Sequence, residues 1–173
     1  FAVADRIAEK QRQRPCRWFA EQFIEGREIN VALLGGPDGP QILPIPEIQF
    51  VDFPTDKPRI VGYAAKWSED SFECRHTVRR FIDPHREASL CEHLGQIALR
   101  CWKIFELRGY ARVDFRVDSN GNPWVLEVNA NPCISPDAGF AAALSEQGIP
   151  YSEAIERIVT EARPDLPSND VPT

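Results

Sequence analysis

Two alternating segments joined by Asn120-Gly121 place the strongest constraint on how this chain can fold. Asn-Gly between such segments is the strongest short-range signal for a β-hairpin, because both residues tolerate the positive φ of a tight turn. If they form the turn, the strands pair symmetrically about it. The predicted partners on an apolar face are Val117 with Trp124, Phe115 with Leu126 and Val113 with Val128. On the opposite face they are Asp114 with Glu127 and Arg112 with Asn129.

The polar face of this hairpin contains an electrostatic conflict. Asp114 and Glu127 would lie opposite each other, and like charges in that position destabilise a sheet. The pair is tolerable if it is exposed, if one member is protonated, or if a cation lies between them. Asn129 adds a neutral oxygen to the same face, which completes a hard oxygen set suited to Mg²⁺ or Mn²⁺. Arg112 could stabilise negative charge that develops there during a reaction.

A plainer interpretation of the same face stays open. Polar hairpin faces are common, and Arg112 with Asp114 could form only surface ion pairs, which contribute little to stability. A different turn length would also shift the register by one residue and separate Asp114 from Glu127.

The rest of the chain predicts an α+β domain with an antiparallel sheet and packed helices. The clearest element is a helix over 86–107, whose apolar residues recur at helical spacing and which Gly109 is placed to end. The other predicted helices cover 2–14, 137–147 and 151–162. The other predicted strands cover 17–24, 28–34, 41–50 (an edge strand, because of its prolines) and 60–66. We expect residues 68–73 to be polar and mobile, residues 1–163 to form the domain, and residues 164–173 to be a disordered tail.

Composition narrows the range of partners. The chain has 173 residues, a formal net charge of −6, and no apolar run near the roughly 20 residues of a membrane span. An acidic chain is a poor match for nucleic acid, so neither nucleic acid nor membrane is expected as a partner. Five cysteines without a CxxC motif indicate reduced thiols and a cytoplasmic setting. Because the chain begins at Phe1 and contains no methionine, we expect it to be a fragment.

Three segments together resemble the ATP-grasp superfamily. They are EQFIEGREINV at 21–31, RVDF at 112–115 and LEVNANP at 126–132. The chain is most similar to the C-terminal half of D-alanine–D-alanine ligases and related carboxylate–amine ligases, from about residue 17 to residue 162. The resemblance implies ATP-dependent ligation through an acyl phosphate. It implies ATP, a small carboxylate and an amine as ligands, two Mg²⁺ ions, and a homodimer as an option. It also implies that the isolated chain, which would lack an N-terminal substrate domain, is inactive.

The resemblance also implies residue roles. Glu21 would accept from the adenine amino group, and the backbone of Gln22, Phe23 and Ile24 would contact the edge of the ring. Glu28 would bind the ribose hydroxyls, and Lys66 would reach the phosphates. The remaining roles concern the hairpin, where Asp114, Glu127 and Asn129 would hold the metal ions, Glu127 bridging them, and Arg112 would stabilise the tetrahedral intermediate.

The loop after Asn131 departs from those ligases. Cys133 stands where they usually carry a glycine, and the serine-rich stretch that contacts the second amino acid is replaced by a segment in which only Ser135 and Asp137 could substitute. We interpret Cys133 as a small residue whose backbone matters, since no histidine partner is placed beside it. The amine substrate is therefore open, and a catalytically inactive nucleotide-binding or interaction module remains the alternative function.

Overall fold

A six-stranded antiparallel sheet organises the chain. The structure, a computed structural model, describes residues 2–62, 68 and 70–162. The helices in these residues are α1 (Ala2–Gln13), α2 (Phe72–Arg75), α3 (Ala88–Ile104), α4 (Gly139–Gln147) and α5 (Tyr151–Ala162). The strands are β1 (Arg27–Leu34), β2 (Gln41–Ile42), β3 (Pro46–Phe50), β4 (Thr77–Phe81), β5 (Tyr110–Val117) and β6 (Pro123–Asn129). The predicted α+β class with an antiparallel sheet is confirmed.

The strand order is β4-β3-β1-β5-β6, with β2 paired to the far end of β1. One face packs against α3, because every second residue of β1 and β5 is apolar and buried. These residues are Ile29, Val31 and Leu33, and Ala111, Val113, Phe115 and Val117, which pack with Leu94, Ala98 and Trp102 of the helix. The helix is amphipathic, and most of its stability comes from burying this apolar stripe against the sheet.

The opposite face of the sheet is divided along the strands. At one end Ala32 and Leu34 pack with Phe140 and Leu144 of α4 and with Ala154 of α5. At the other end the same face carries charged and amide side chains from β1 and β5. The α4–α5 pair therefore closes only part of this face, and the polar part is where the predicted site residues lie.

The end of α3 differs from the prediction. The helix stops at Ile104, not at Gly109, because Glu106 takes the left-handed conformation with φ of 49°. Its N–H bonds to the Lys103 carbonyl at 3.3 Å, and the Leu107 N–H bonds to the Trp102 carbonyl at 3.0 Å. These two bonds form a Schellman motif, which satisfies carbonyls that the helix end would leave unpaired.

Four further predictions for local structure are wrong or only partly right. Residues 17–24 form no strand, because none of the described strands pairs with this segment. A sequence with high β-propensity becomes a strand only where a neighbouring strand is available to pack and pair with it. The predicted edge strand over 41–50 is two strands, β2 and β3. β3 lies inside the sheet, between β1 and β4. Pro46 is tolerated there because it is the first residue of the strand, where its missing N–H does not interrupt the hydrogen bonds between strands. Residues 60–62 are not a strand, and the rest of that prediction lies outside the described residues.

The segment predicted to be mobile over 68–73 contains the start of α2. The Ser71 hydroxyl accepts from the Cys74 N–H at 3.0 Å, which is a helix N-cap. By contrast, the predicted helices over 2–14, 137–147 and 151–162 and the strand over 28–34 are confirmed to within two residues at each end. None of the helices in the described residues is both long and apolar enough to cross a membrane.

The hairpin of β5 and β6 keeps its predicted partners at one end only. Arg112 pairs with Asn129, Val113 with Val128 and Asp114 with Glu127, as predicted. Nearer the turn, Phe115 pairs with Val125, Arg116 with Trp124 and Val117 with Pro123. The predicted pairs of Phe115 with Leu126 and of Val117 with Trp124 are therefore wrong.

Two one-residue deviations cancel in this hairpin. The turn is a three-residue loop over 119–121 closed by the Asp118 N–H and the Asn122 carbonyl at 3.1 Å, with Gly121 at φ of 80°. The extra loop residue shifts the register by one, and a β-bulge at Leu126 shifts it back. As a result Trp124 and Leu126 do not join the core: each is 49% exposed.

Candidate active site

Three rows of side chains cross β1, β5 and β6 on the face opposite α3. Direct cross-strand partners share a face of the sheet. The first row contains Glu28, Arg116 and Trp124; the second Asn30, Asp114 and Glu127; and the third Ala32, Arg112 and Asn129. The predicted metal ligands and the predicted ribose-binding glutamate therefore lie on one surface, and neighbouring rows are two residues apart along the strands.

Asp114 is the centre of the second row, and its carboxylate is nearly buried. Its Oδ1 accepts from Asn30 Nδ2 at 2.8 Å and from Arg112 Nε at 2.6 Å, and its Oδ2 accepts from Arg112 Nη2 at 2.8 Å. A buried carboxylate is stable only when it is paired and hydrogen-bonded. The bidentate contact with Arg112 supplies both requirements.

Arg112 also explains how the Asp114–Glu127 pair is tolerated. Its Nη2 lies 3.9 Å from Glu127 Oε1, so one guanidinium faces both carboxylates. Burial acts to lower the pKa of Arg112, but the hydrogen bonds of Asp114 and the charges of Asp114, Glu127 and Glu28 raise it above its usual value. The group is therefore a permanent cation. A cation between Asp114 and Glu127 is one of the predicted ways to tolerate the pair, and here the guanidinium of Arg112 is that cation.

The predicted metal ligands fit a hard cation in their chemistry. Asp114 and Glu127 are opposite each other, Glu127 is half exposed, and Asn129 follows on the same face. Carboxylate and amide oxygens with open positions are what Mg²⁺ uses when it also binds phosphate. Asn129 Oδ1 accepts from the Asn131 N–H at 2.9 Å, which fixes the amide. Among the described residues no group of three or more His, Cys, Asp or Glu could hold a metal, and the amide of Asn129 is the further oxygen that the sequence predicts for this set.

A cavity of about 220 Å³ opens beside this cluster. Six of its lining residues were predicted as site residues: Gln22, Phe23, Ile24, Glu28, Asp114 and Glu127. Leu126, the residue of the β-bulge, also lines it, together with Arg116 and residues 60–61. The segment predicted to contact adenine and the predicted metal ligands thus share one cavity, even though 17–24 is not a strand.

The other predicted residues have different positions. Glu21 is exposed and does not line the cavity, and Lys66 lies outside the described residues. Cys133 is exposed, and its Sγ is 3.2 Å from the Ser135 hydroxyl. Hydrogen bonds from the side chain and backbone of Ser135 lower the pKa of the Cys133 thiol.

Sequence reasoning missed Arg116 and Asn30. Arg116 is 2% exposed and lines the cavity, and Asn30 holds Asp114. Both could have been found by alternation, since Arg116 is two residues from Asp114 and Asn30 is two residues from Glu28 on strands that the sequence predicts. Their partners could not have been found, because they lie on other segments.

An antiparallel sheet backed by a helix, with an acidic and amide oxygen set in front and a cavity beside it, has the architecture of the ATP-grasp class. Residues 4–160 match the family model described as D-ala D-ala ligase C-terminus. The chain therefore belongs to the D-alanine–D-alanine ligase C-terminal family.

Individual relatives agree with this assignment. The chain is 34% identical over 146 residues to a D-alanine–D-alanine ligase of Synechococcus sp. (strain JA-3-3Ab), covering 84% of this chain and 41% of that protein. It is 33% identical over 140 residues to one from Carboxydothermus hydrogenoformans, covering 80% and 41%. The ligase from Bacillus anthracis, solved in complex with ATP, superposes with a TM-score of 0.60 at 25% identity, covering 82% of this chain and 40% of that one. The chain thus spans about two fifths of the length of these relatives.

Proposed function

We propose that this chain forms the nucleotide-binding and metal-binding part of an ATP-dependent ligase that joins a carboxylate to an amine. The observation that carries the proposal is the second row of side chains. Asn30, Asp114 and Glu127 lie on one sheet face beside a cavity lined by the segment predicted to contact adenine. The ATP complex of the Bacillus anthracis relative supports ATP as the nucleotide.

The cavity suits the base and ribose of the nucleotide. Its volume of about 220 Å³ is below the roughly 300–1,000 Å³ that encloses a whole drug-sized ligand, so it would take only part of ATP. In this arrangement the backbone at Gln22 to Ile24 contacts the base, Glu28 binds the ribose hydroxyls, and the phosphates extend toward Asp114 and Glu127. Glu21 and Lys66 keep their roles as proposals from the family resemblance.

The acidic and amide residues would hold magnesium. Asp114, Glu127 and Asn129 supply the oxygens, and the ions would neutralise charge on the phosphoryl group as it is transferred. Two ions are part of the proposal, and Asp114, Glu127 and Asn129 are the residues that would hold them. The carboxylate substrate would attack the γ-phosphate of ATP, and the amine would then displace phosphate from the resulting acyl phosphate.

Arg112 is suited to the second of these steps. Its Nε and Nη2 are occupied by Asp114, while Nη1 makes no hydrogen bond within the part of the chain that the structure describes. A fixed cation with one N–H group available can stabilise the oxyanion that forms when the amine adds. Because its pKa is raised, Arg112 would keep this charge throughout the working pH range.

The experiment measures release of ADP and phosphate by the full-length protein. D-alanine is the first substrate to test, followed by other amino acids of both configurations, because Cys133 and the residues after it leave the amine open. Glu127→Gln should lower turnover by about 10²- to 10³-fold, while Glu146→Gln, an exposed carboxylate on α4, should leave it unchanged. Near-normal turnover in Glu127→Gln would refute the proposed role of this row.

The alternative function makes a different prediction for the same protein. A catalytically inactive nucleotide-binding module would bind Mg²⁺-ATP by calorimetry and release no ADP with any carboxylate–amine pair. The departure at Cys133 from the glycine of the ligases is the observation that favours it. The five free thiols support a cytoplasmic setting for either function.

A further inference from the structure

Arg116 is a buried charged residue that the proposed chemistry does not use. It lies on β5 beside Glu28 of β1, and only 2% of its surface is exposed. Burying a guanidinium costs several kcal/mol unless the group is paired and hydrogen-bonded. Its contacts therefore indicate what the burial achieves.

The guanidinium joins three separate parts of the cavity wall. Its Nε donates to the Ile24 carbonyl at 2.9 Å, and its Nη1 donates to the Arg59 carbonyl at 3.0 Å. The same Nη1 lies 3.4 Å from Glu28 Oε2. The carbon at the centre of the guanidinium is also 5.5 Å from the centre of the Phe23 ring, within the range of a cation–π contact.

Two of these three wall segments have no regular structure of their own. Residues 22–24 and 59–61 belong to no helix or strand, so no backbone ladder fixes their position. The Val61 N–H also donates to Glu28 Oε2, at 3.3 Å. Arg116 thus holds the Glu28 carboxylate both directly and through the segment that contains Val61.

We propose that Arg116 is a positioning residue that fixes the Glu28 carboxylate for recognition of the nucleotide ribose. This inference rests on the proposed function, in which Glu28 binds the ribose hydroxyls. Without the guanidinium, Glu28 would lose its buried counterion and one of its orienting donors. The carboxylate would then be free to turn from its present orientation, and it would no longer be placed to accept from a ribose hydroxyl.

The effect on the ribose can be separated from the effect on the base. Because Arg116 also holds the segment proposed to contact the base, its loss should weaken both nucleotides. Only the loss through Glu28 falls on the ribose hydroxyls, so the ratio of the two affinities measures it. A protein without Arg116 should bind ATP as weakly as it binds 2′,3′-dideoxy-ATP, which has no hydroxyls for Glu28 to contact. A residue that only stabilises the fold would weaken both nucleotides equally.

The test is calorimetry with Mg²⁺-ATP and Mg²⁺-2′,3′-dideoxy-ATP on the full-length protein. The wild type should prefer ATP by about tenfold or more, the effect of one or two hydrogen bonds to a charged group. Arg116→Met should lose this preference, so that its affinity for ATP falls by about tenfold more than its affinity for the dideoxy nucleotide. The double variant Arg116→Met/Glu28→Gln should bind ATP no more weakly than Arg116→Met alone, because both changes remove the same contact.

Two further variants keep the test decisive. Arg116→Lys retains the charge but cannot reach all three acceptors, so it should lose part of the preference even if Arg116→Met does not fold. Arg27→Met removes an arginine that pairs with Glu47 and Glu87, and should lower stability without changing the preference.

Each failure has its own signature. If Arg116→Met keeps the wild-type preference, or weakens both nucleotides equally, the positioning role is refuted and the proposed function stands. If Glu28→Gln keeps the preference, Glu28 does not bind the ribose, and the inference falls with that part of the proposed function. If the wild type binds neither nucleotide, the proposed function itself is refuted.

Discussion

Replacing Arg112 by methionine should make the stability of this domain depend on magnesium. Methionine keeps most of the length of the side chain but removes the cation that faces Asp114 and Glu127. Asp114 would then be a nearly buried carboxylate, 8% exposed, with Asn30 as its remaining hydrogen-bond donor among the contacts described above. The acidic pair would lose the guanidinium that faces both carboxylates, which leaves the like-charge conflict that the sequence predicts.

The size of the effect follows from the geometry. Breaking a fully buried ion pair by removing one partner costs about 3–5 kcal/mol. Here Arg112 is 20% exposed, so water would partly replace it, and the 2.8 Å hydrogen bond from Asn30 remains. We therefore expect the free energy of unfolding to fall by about 2–3 kcal/mol without magnesium. A metal ion bound by the acidic pair should restore about 2.7 kcal/mol at one hundred times its dissociation constant.

Urea denaturation at neutral pH, with and without MgCl₂, measures both quantities. The wild type should gain less from magnesium than Arg112→Met, because Arg112 already occupies the carboxylate oxygens of Asp114. Arg27→Met is the matched control: it also breaks ion pairs of a partly buried arginine, but it should be destabilised equally with and without the metal. If Arg112→Met is as stable as the wild type, or if magnesium rescues both variants alike, the reasoning about this row is wrong.

Three smaller changes test local features of the fold and the site. Glu106→Gly should raise the free energy of unfolding by about 0.5–1 kcal/mol, because Glu106 has a φ of 49° that glycine adopts without strain; thermal unfolding measures it. Gly26→Ala should lower it by at least about 2 kcal/mol, since the new methyl would lie 2.0 Å from a carbonyl oxygen of β5. Gly39→Ala, at φ of 101° with nothing within 4 Å, is its control and should cost less. The lowered pKa of Cys133 means that its thiolate forms at lower pH, so its alkylation by iodoacetamide should reach half its maximal rate at a lower pH than alkylation of a cysteine in an unstructured peptide. Ser135→Ala should move that midpoint upward, and an unchanged midpoint would contradict the hydrogen-bond explanation.

The helices and strands that could be predicted from the sequence are those whose formation depends on a pattern within the segment itself. α3 is amphipathic along its whole length, and β1 and β5 alternate between buried and polar residues. The segment 17–24 shows the limit of such reasoning. Its composition suits a strand, but a strand also needs a neighbour. In the structure the Ile24 carbonyl accepts from the Arg116 side chain instead, and no pattern within 17–24 predicts that contact.

The same limit applies to the site. Asp114, Glu127 and Asn129 could be placed together because a hairpin relates them through one turn. The alternation of β5 predicts equally well that Arg116 lies on this face. The role of a buried arginine, however, depends on which carbonyl and carboxylate groups of other segments lie beside it. Those segments are separated from Arg116 by 57 to 92 residues, and the sequence contains no signal for their approach.

The hairpin shows why the predicted pairing of Asp114 with Glu127 is right although the predicted turn is wrong. A loop one residue longer than predicted would have turned every later side chain of β6 to the other face, since the side-chain period of a strand is two. The bulge at Leu126 reverses this shift immediately before Glu127, so Asp114 regains the partner that a two-residue turn would have given it. Bulges are common beside functional sites because they redirect one side chain without disturbing the rest of the sheet. Here the bulge does so twice: it sets Glu127 opposite Asp114, and it turns Leu126 into the cavity wall. The same correction returns Val128 to the face that packs against α3, so the bulge serves the core of the sheet as well as the site.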